Sequence, residues 1–208
     1  MAKPLPTPVR NHLTGLRILL LFTVVCGLLY PLAITGISQV AFSSQANGSL
    51  VKYDGKVVGS SLLGQNFTVT GKDGKTVSPD PKYFQSRPSA AGADGYDAAA
   101  SAATNLGPNS AVLVTDYTAL KKAIAAFDGV APSQVPPDAV TSSGSGLDPD
   151  ISPQYAAIQV DRVARARDLP AGEVRALVTK YTQGRTAGFL GQPRVDVLDL
   201  NIALAKLG

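Results

Sequence analysis

One uncharged stretch near the N-terminus constrains this chain more than any other feature of its sequence. Residues 18–42 include no charged side chain, and the most apolar part, residues 18–37, has the length that crosses a bilayer as an α-helix. Three basic residues precede the stretch, and the next charged residue after it is Lys52. Because basic residues favour the cytoplasmic side, we expect a single-pass protein of the cytoplasmic membrane. Its parts would be a cytoplasmic tail (residues 1–17), a lipid-embedded helix (residues 18–42) and an extracytoplasmic domain (residues 43–208).

A cleaved signal peptide is the alternative interpretation of this stretch, since Ser44-Gln45-Ala46 offers a small-x-small cleavage site. The apolar region of a signal peptide spans roughly 7 to 15 residues, so the length favours an uncleaved anchor. Pro31 lies inside the apolar run and would remove one helical hydrogen bond. Thr23 and Gly27 form a small-xxx-small pair, which either permits close contact with a partner helix in the membrane or occurs by chance.

The composition excludes several kinds of site. The 208 residues include one His, one Cys and no Trp. A zinc site of the Cys/His type needs three or four such side chains and a disulfide within the chain needs two cysteines, so both are excluded. The chain has 19 basic and 15 acidic residues, but three of the basic ones lie in residues 1–17, which leaves 16 against 15 elsewhere. A nearly neutral outer domain argues against nucleic-acid binding.

Periodicity after the apolar stretch predicts one compact α+β domain with a small β-hairpin or sheet and about four short helices. A hairpin is expected over residues 49–60, because Asp54-Gly55 tolerates the positive φ angles of a tight turn. Helical spacing predicts a first helix ending at Asp128-Gly129 and a second capped by Ser152 before Pro153. The other two helices are expected over residues 174–181 and, capped by Asp196, up to residue 207. Two stretches between these elements, residues 89–110 and 130–150, have the composition of linkers.

Three patterns suggest chemistry, and each favours a simpler interpretation. Gly74-Lys75-Thr76 copies the end of a phosphate-binding loop, but Val69 replaces the first glycine of that motif, which favours a solvated turn. Asp148 and Asp150 flank Pro149 and would suit a hard cation or an acid/base pair, although cap and turn roles are commoner for such residues. A Ser–Lys catalytic pair is a further alternative, but it needs a desolvated lysine, and no lysine of the domain lies in an apolar setting.

Four arginines cluster near the second and third predicted helices: Arg162, Arg165, Arg167 and Arg175. Nucleic-acid recognition would need aromatic residues among them, and there are none. The pattern predicts a solvated helix face with i,i+3 pairing to Asp161 or Asp168.

Several ordered strings of residues resemble a known family. They are Tyr30-Pro31-Leu32, Asn105-Leu106 and the segments 45–50, 59–67, 83–90, 140–148, 162–167, 191–195 and 200–201. In this order, from residue 30 to the C-terminus, they resemble the KdpC family, the C subunits of the Kdp potassium-transporting ATPase. One departure concerns residues 101–104, which read Ser-Ala-Ala-Thr where the family often has Ser-Gly-Gly-Ser, and the loss of both glycines weakens any role in cradling a ligand with the backbone. Residues 70–81 form a Gly-rich insertion, expected as a peripheral loop.

The resemblance implies a non-catalytic, accessory subunit of a high-affinity, ATP-driven K⁺ uptake complex. Its partners would be a channel-like A subunit, a P-type ATPase B subunit and a small F subunit. The family's C subunit is needed for assembly and is assigned a role in raising the affinity of the B subunit for ATP. That role conflicts with the topology expected here, because the catalytic domains of the B subunit are cytoplasmic. ATP and K⁺ would be handled by the complex, and we expect neither a bound cofactor nor a metal ligand on this chain.

The resemblance also changes the interpretation of the two linker-like stretches, since both contain family strings and a mere spacer needs no particular residues. We therefore expect ordered loops that contact a partner or steer ions, with seven candidate residues: Gln65, Asn66, Arg87, Asn105, Ser143, Asp148 and Asp150. Asp148 and Asp150 would concentrate K⁺ at the outer entrance of the A subunit. The alternatives are a lone membrane-anchored binding domain and, with less support, an anchored hydrolase.

Overall fold

The structure, a computed structural model, describes residues 6–72 and 77–207. It consists of two compact units, Met1–Ser49 and Leu50–Gly208, each with its own internal contacts.

The first unit is one long apolar helix over Thr7–Ala41, followed by the single turn α3 (Ser43–Ala46). It comprises α1 (Thr7–Val24), a π-helical segment (Val25–Leu29) and α2 (Tyr30–Ala41). By length and composition it is able to cross a membrane, and none of its residues, all of them described, is buried within the chain. The helix begins at Thr7 rather than Ile18, with Pro8 in its first turn, where a missing amide hydrogen costs nothing.

The helix widens at Val25–Leu29, a segment that ends two residues before Pro31. Proline has no amide hydrogen, and its ring crowds the carbonyl four residues earlier, so an ordinary α-helical turn cannot close there. The amide of Tyr30 donates instead to the carbonyl of Val25, five residues earlier. Pro31 therefore disturbs the helical hydrogen bonds as predicted, and a π-turn accommodates it without breaking the helix.

The second unit begins with two antiparallel hairpins. The predicted hairpin is confirmed as β1 (Leu50–Tyr53) and β2 (Lys56–Ser60), joined at Asp54 and Gly55, whose φ angles are 48° and 74°. The second hairpin pairs β3 (Thr68–Thr70) with β4 (Val77–Pro79) and is exposed. Strand β4 falls in the Gly-rich insertion (residues 70–81), of which the Gly74-Lys75-Thr76 motif lies outside the described residues.

All four predicted helices of the domain are present: α4 (Ala111–Asp128), α6 (Pro153–Ala166), α7 (Ala171–Tyr181) and α8 (Val197–Ala205). Two predicted N-caps are confirmed, since the Ser152 hydroxyl accepts from the amide of Tyr155 and the Asp196 carboxylate accepts from the amide of Asp199. Gly129 ends α4 with a φ angle of 72°. Between α4 and α6 lie a 3₁₀ turn (Pro132–Gln134) and the single turn α5 (Pro137–Val140).

A three-stranded antiparallel sheet, which the sequence analysis did not predict, joins the ends of these helices. Its spatial order is β5 (Asp150–Ile151), β7 (Arg194–Asp196), β6 (Thr182–Gln183). The core lies around this sheet and α6–α8, and its largest fully buried apolar side chains are Phe84, Val160, Val163, Val174, Val195, Val197, Leu200 and Leu204. The predicted α+β class is confirmed.

The two stretches with linker composition are ordered against each other. The hydroxyl of Ser89 donates to the carbonyl of Gly146 at 2.6 Å, and the amide of Ala102 donates to the carbonyl of Ser145 at 3.0 Å. Gly146 has a φ angle of 69°, and a Cβ placed there would lie 2.5 Å from the carbonyl oxygen of Ala102. Only glycine fits such a contact without a shift of the backbone. The prediction of ordered loops is therefore confirmed.

Candidate functional site

A groove of about 820 Å³, lined by charged and apolar side chains, lies where the loop containing Arg87 meets β5, β7 and the start of α6. Its charged side chains are Arg87, Asp138, Asp148, Asp150 and Arg194. Three of these were predicted as site residues from the sequence: Arg87, Asp148 and Asp150. The structure brings those three into one surface.

Arg87 and Asp148 form the first ion pair of the groove. Nη1 of Arg87 lies 2.8 Å from Oδ2 of Asp148, and the side chains are 22% and 28% exposed. Nε and Nη2 of Arg87 both donate to the carbonyl of Thr141 at 3.3 Å. The other carboxylate oxygen of Asp148 accepts from the amide of Asp150 at 3.0 Å, which confirms the expected turn role. Both side chains are thus fixed by several bonds.

Asp150 and Arg194 form the second pair, with 3.1 Å between Oδ2 and Nε. Partial burial raises the pKa of the Asp150 carboxyl, while the Arg194 guanidinium opposes that rise and the Asp148 carboxylate adds to it. The strands explain the placement, because Asp150 in β5 lies opposite Asp196 in β7, two residues after Arg194.

Asp138 holds the start of α6. Its two carboxylate oxygens accept from the amide and the hydroxyl of Ser152, each at 2.8 Å. The same hydroxyl accepts from the amide of Tyr155 at 2.9 Å and so caps the helix. This third carboxylate of the groove is therefore used in local structure.

The groove presents paired charges of both signs. Three carboxylates face two guanidinium groups, and the carboxylates of Asp148 and Asp150 each have an arginine partner. Such a surface suits a polypeptide with complementary charges and hydrogen-bonding groups. Among the described residues, no group of three or more His, Cys, Asp or Glu side chains is arranged to hold a metal ion.

Tyr96 supports Arg87 from beneath. Its hydroxyl donates to the carbonyl of Arg87 at 2.8 Å, and burial raises the pKa of Tyr96 to about 12, so the hydroxyl keeps its proton. The ring packs so closely on Gly64 that an added Cβ there would clash with it, and that Cβ would also lie 2.5 Å from the carbonyl oxygen of Asp148. Gly64 therefore permits the two loops to meet below the ion pair.

Two buried amide side chains hold the segment that leads to Arg87. Asn201 of α8 accepts from the amide of Phe84 at 2.8 Å and donates to its carbonyl at 2.9 Å. Gln159 of α6 accepts from the amide of Gln85 at 2.6 Å and donates to its carbonyl at 3.2 Å. Each side-chain amide thus bonds both the N–H and the C=O of one backbone residue, as a neighbouring β-strand would. Together the two amides fix the backbone at Phe84 and Gln85, two residues before Arg87.

Arg162 corrects the prediction of a solvated arginine face. It is only 4% exposed, and its Nε lies 2.7 Å from Oδ1 of Asp128, an ion-pair partner on α4. Its Nη1 donates to the carbonyls of Pro81 and Tyr83 at 2.7 and 2.9 Å. The predicted i,i+3 pairing is also wrong, since Asp161 pairs across helices with Arg175 at 3.6 Å. The prediction inferred exposure from the charge of Arg162 alone, but a guanidinium is readily buried where it has several hydrogen-bond acceptors.

The remaining predicted site residues lie elsewhere and have local partners. The backbone carbonyl of Gln65 accepts from the hydroxyl of Ser86 at 2.9 Å, and the side-chain amide of Asn66 donates to the backbone carbonyl of Asp94 at 2.5 Å. Asn105 has a φ angle of 53° and donates to the carbonyl of Ala103, while the Ser143 hydroxyl accepts from the amide of Gly146 at 2.9 Å. None of these four described residues lines the groove.

Sequence reasoning missed Asp138 and Arg194 in the groove, and Gln159 and Asn201 beneath it. A usable signal existed for the last two, since each is a polar residue on the apolar face of its helix, and such a residue needs a specific partner when buried. No local pattern distinguished Asp138 or Arg194 from ordinary surface residues.

Comparison with known proteins identifies the family. The family model described as KdpC, the c chain of a K⁺-transporting ATPase, matches residues 12–206. The chain belongs to the KdpC family. A potassium-transporting ATPase KdpC subunit of Streptomyces avermitilis is 52% identical over 204 residues, which cover 93% of this chain and 92% of that protein. The KdpC subunit of Streptomyces coelicolor is 47% identical, and the aligned region covers 100% of this chain and 97% of that protein. The KdpC subunit of Caulobacter vibrioides is 53% identical, and the aligned region covers 88% of this chain and 87% of that protein.

The family strings found in the sequence acquire structural roles. The string at residues 83–90 is the segment held by Asn201 and Gln159, and it ends in the loop that carries Arg87. The string at residues 140–148 supplies the carbonyl of Thr141 and the carboxylate of Asp148, both bonded to Arg87. The string at residues 191–195 supplies Arg194. Three separate strings therefore each contribute residues to one groove.

Proposed function

We propose that this chain acts as an accessory subunit of a potassium-transporting ATPase, as a membrane-anchored domain that docks on its partner subunits and stabilises their assembly. The family match over residues 12–206 is the observation that carries this proposal. The apolar helix Thr7–Ala41 supports it, because a long helix with no buried residue needs lipid or other membrane helices around it.

The domain would lie outside the cytoplasm. Arg10 and Arg17 occur at or before the start of the uncharged stretch, whereas no charged residue follows it until Lys52. This asymmetry favours a cytoplasmic N-terminus. A topology test with C-terminal reporters, one active only inside and one only outside the cytoplasm, addresses the point, and a cytoplasmic C-terminus would refute the arrangement.

We expect this groove around Arg87, Asp148 and Arg194 to be the docking surface for a partner subunit. It combines fixed ion pairs with loops whose backbones are held by buried side chains, so little order has to be gained on binding. The channel-like A subunit, which the resemblance implies, is the partner that an outer domain would reach. A direct contact with ATP, also implied by the resemblance, would require the opposite topology or transmission through the anchor.

Co-purification with the other subunits tests the proposal. A tagged chain should retain two large membrane proteins after solubilisation, whereas a lone anchored domain would not. Gln154, an exposed residue at the groove, provides a blocking variant, and Ala157 on the same helix is exposed but does not line the groove. We expect Gln154→Arg to reduce the recovery of the partners and Ala157→Arg to leave it unchanged. Equal recovery for both variants would remove the groove as the docking surface, and absence of partners from the wild type would remove the proposed function itself.

A further inference from the structure

The connection between β6 and β7 projects an apolar tip into solvent. Phe189 is 71% exposed and Leu190 is 53% exposed, and residues 184–193 are all exposed. Within the described part of the second unit, Phe189 is the most exposed large apolar side chain. A bulky apolar pair at a loop tip indicates contact with something other than water.

The tip is held in shape by its own backbone. The amide of Thr186 donates to the carbonyl of Leu190 at 2.9 Å, and the amide of Leu190 donates to the carbonyl of Thr186 at 3.0 Å. Ala187 and Gly188 between them have φ angles of 53° and 82°. Ala187 takes a left-handed conformation that is unfavourable for a residue with a side chain. The loop thus presents Phe189 and Leu190 in a defined geometry.

The charged residues on either side of the tip in the sequence are positive. Between Glu173 and Asp196 the sequence has no acidic residue and four basic ones: Arg175, Lys180, Arg185 and Arg194. Arg175 and Arg194 have carboxylate partners in Asp161 and Asp150. No described carboxylate lies within salt-bridge distance of Lys180 or Arg185, and both are exposed. Arg185 is next to the hydrogen-bonded tip and leaves it with an uncompensated positive charge.

We infer that this tip is a second membrane contact, in which Phe189 and Leu190 enter the interface of the bilayer and Arg185 and Lys180 meet anionic lipid phosphates. Exposed apolar residues flanked by unpaired cations are the composition that binds anionic membrane interfaces. The contact goes beyond the proposed subunit role and needs no partner protein.

The absence of tryptophan from the chain permits a direct test. Phe189→Trp places a single tryptophan, which can be excited selectively over the tyrosines, at the tip of the full-length protein. The protein is reconstituted in vesicles of phosphatidylcholine and phosphatidylglycerol, with or without bromine on the acyl chains. The matched control is Val112→Trp, at an equally apolar position that is 57% exposed at the start of α4. In the Phe189→Trp protein we expect brominated lipid to quench the fluorescence and acrylamide to quench it poorly, with the opposite pattern for Val112→Trp.

Charge dependence provides the second measurement. Adding Arg185→Gln to Phe189→Trp should lower the ratio of inserted to exposed tip about fivefold in anionic vesicles, and hardly at all in phosphatidylcholine alone. Adding Leu190→Ser should return the tryptophan emission toward that of a solvent-exposed residue. Because these vesicles lack the partner subunits, the result is independent of the co-purification experiment.

Three results would overturn the inference. The first is a fluorophore in Phe189→Trp that acrylamide reaches as freely as the one in Val112→Trp, without quenching by brominated lipid. The second is protection that depends on protein concentration in detergent, which would indicate a second copy as the occupant. The third is protection that arises only when partner subunits are present and is insensitive to brominated lipid, which would assign the tip to a protein pocket.

Discussion

Arg162 offers the most direct test of how the domain is held together. Its guanidinium bonds Asp128, Gln159 and the carbonyls of Pro81 and Tyr83, and it lies 4.4 Å from the centroid of the Phe127 ring. The side chains of Arg162 and Asp128 are 5% and 2% exposed. Replacement by Met keeps much of the volume but leaves a buried carboxylate without its cation.

Removal of one partner from a buried ion pair costs about 3–5 kcal/mol, because the remaining charge stays desolvated. We therefore expect Arg162→Met to lower the free energy of unfolding by about that amount. Arg162→Lys should be intermediate, since an ammonium cannot reach all of the acceptors that the planar guanidinium serves. The exposed pair of Arg175 and Asp161 supplies the control, and Arg175→Met should cost less than about 1 kcal/mol.

Urea unfolding of the full-length chain in detergent, followed by far-UV circular dichroism, measures these differences. Burial already raises the pKa of the Asp128 carboxyl, while the bond to Arg162 and its charge lower it. In Arg162→Met the pKa should rise further, so the folded state binds the proton more tightly than the unfolded state and the variant regains stability as the pH falls. Replacing both residues by apolar ones should restore part of the loss. A loss that is equal at high and low pH, and additive with Asp128→Leu, would refute the reasoning.

Three further experiments probe other parts of the domain. Burial raises the pKa of Asp196 to about 6, so its charge destabilises the fold increasingly as the pH rises through that value. Asp196→Asn keeps an acceptor for the helix cap, and its free energy of unfolding should exceed that of the wild type by up to about 3 kcal/mol at pH 8 but by little at pH 4. Urea unfolding at both pH values measures the difference. Gly146→Ala should lower the free energy of unfolding clearly more than Gly129→Ala does. Both positions have a positive φ angle, which costs a residue with a side chain roughly 1–2 kcal/mol, but only the Cβ at position 146 would also clash with backbone. Equal losses of stability would show that the loop around Gly146 relaxes freely. If Asp148 and Asp150 steer K⁺, neutralising both with Asn should raise the apparent KM for K⁺ uptake of the complexes that still assemble, whereas an unchanged KM of those complexes would remove the steering role.

The sequence predicted elements wherever a local signal was strong. Asp54-Gly55 defined the first hairpin, Gly129 ended α4, and Ser152 and Asp196 capped α6 and α8 as expected. Each of these features depends on neighbours within a few residues, so the chain itself carries the information.

The three-stranded sheet and the groove were beyond such reasoning. Two of the sheet strands have two residues each and the third has three, too few for an alternating pattern to show. The pair of Arg87 and Asp148 joins residues 61 positions apart, and their proximity depends on loops that meet at Gly64 and Gly146. Arg162 was misplaced for a related reason, since its partners come from α4 and the segment before Phe84. Long-range polar contacts leave little trace in local composition.

The π-turn at Val25–Leu29 sets the angular phase of the apolar helix. One additional residue in a turn rotates every later side chain by about 100° around the axis, because an α-helix advances 3.6 residues per turn. Thr23 lies before the segment and Gly27 within it, so this small-residue pair does not share the ordinary i,i+4 ridge. Deleting one residue there would restore a regular pitch only by turning α1 relative to α2. A single prolyl ring at position 31 thus determines which sides of the two half-helices face a common neighbour.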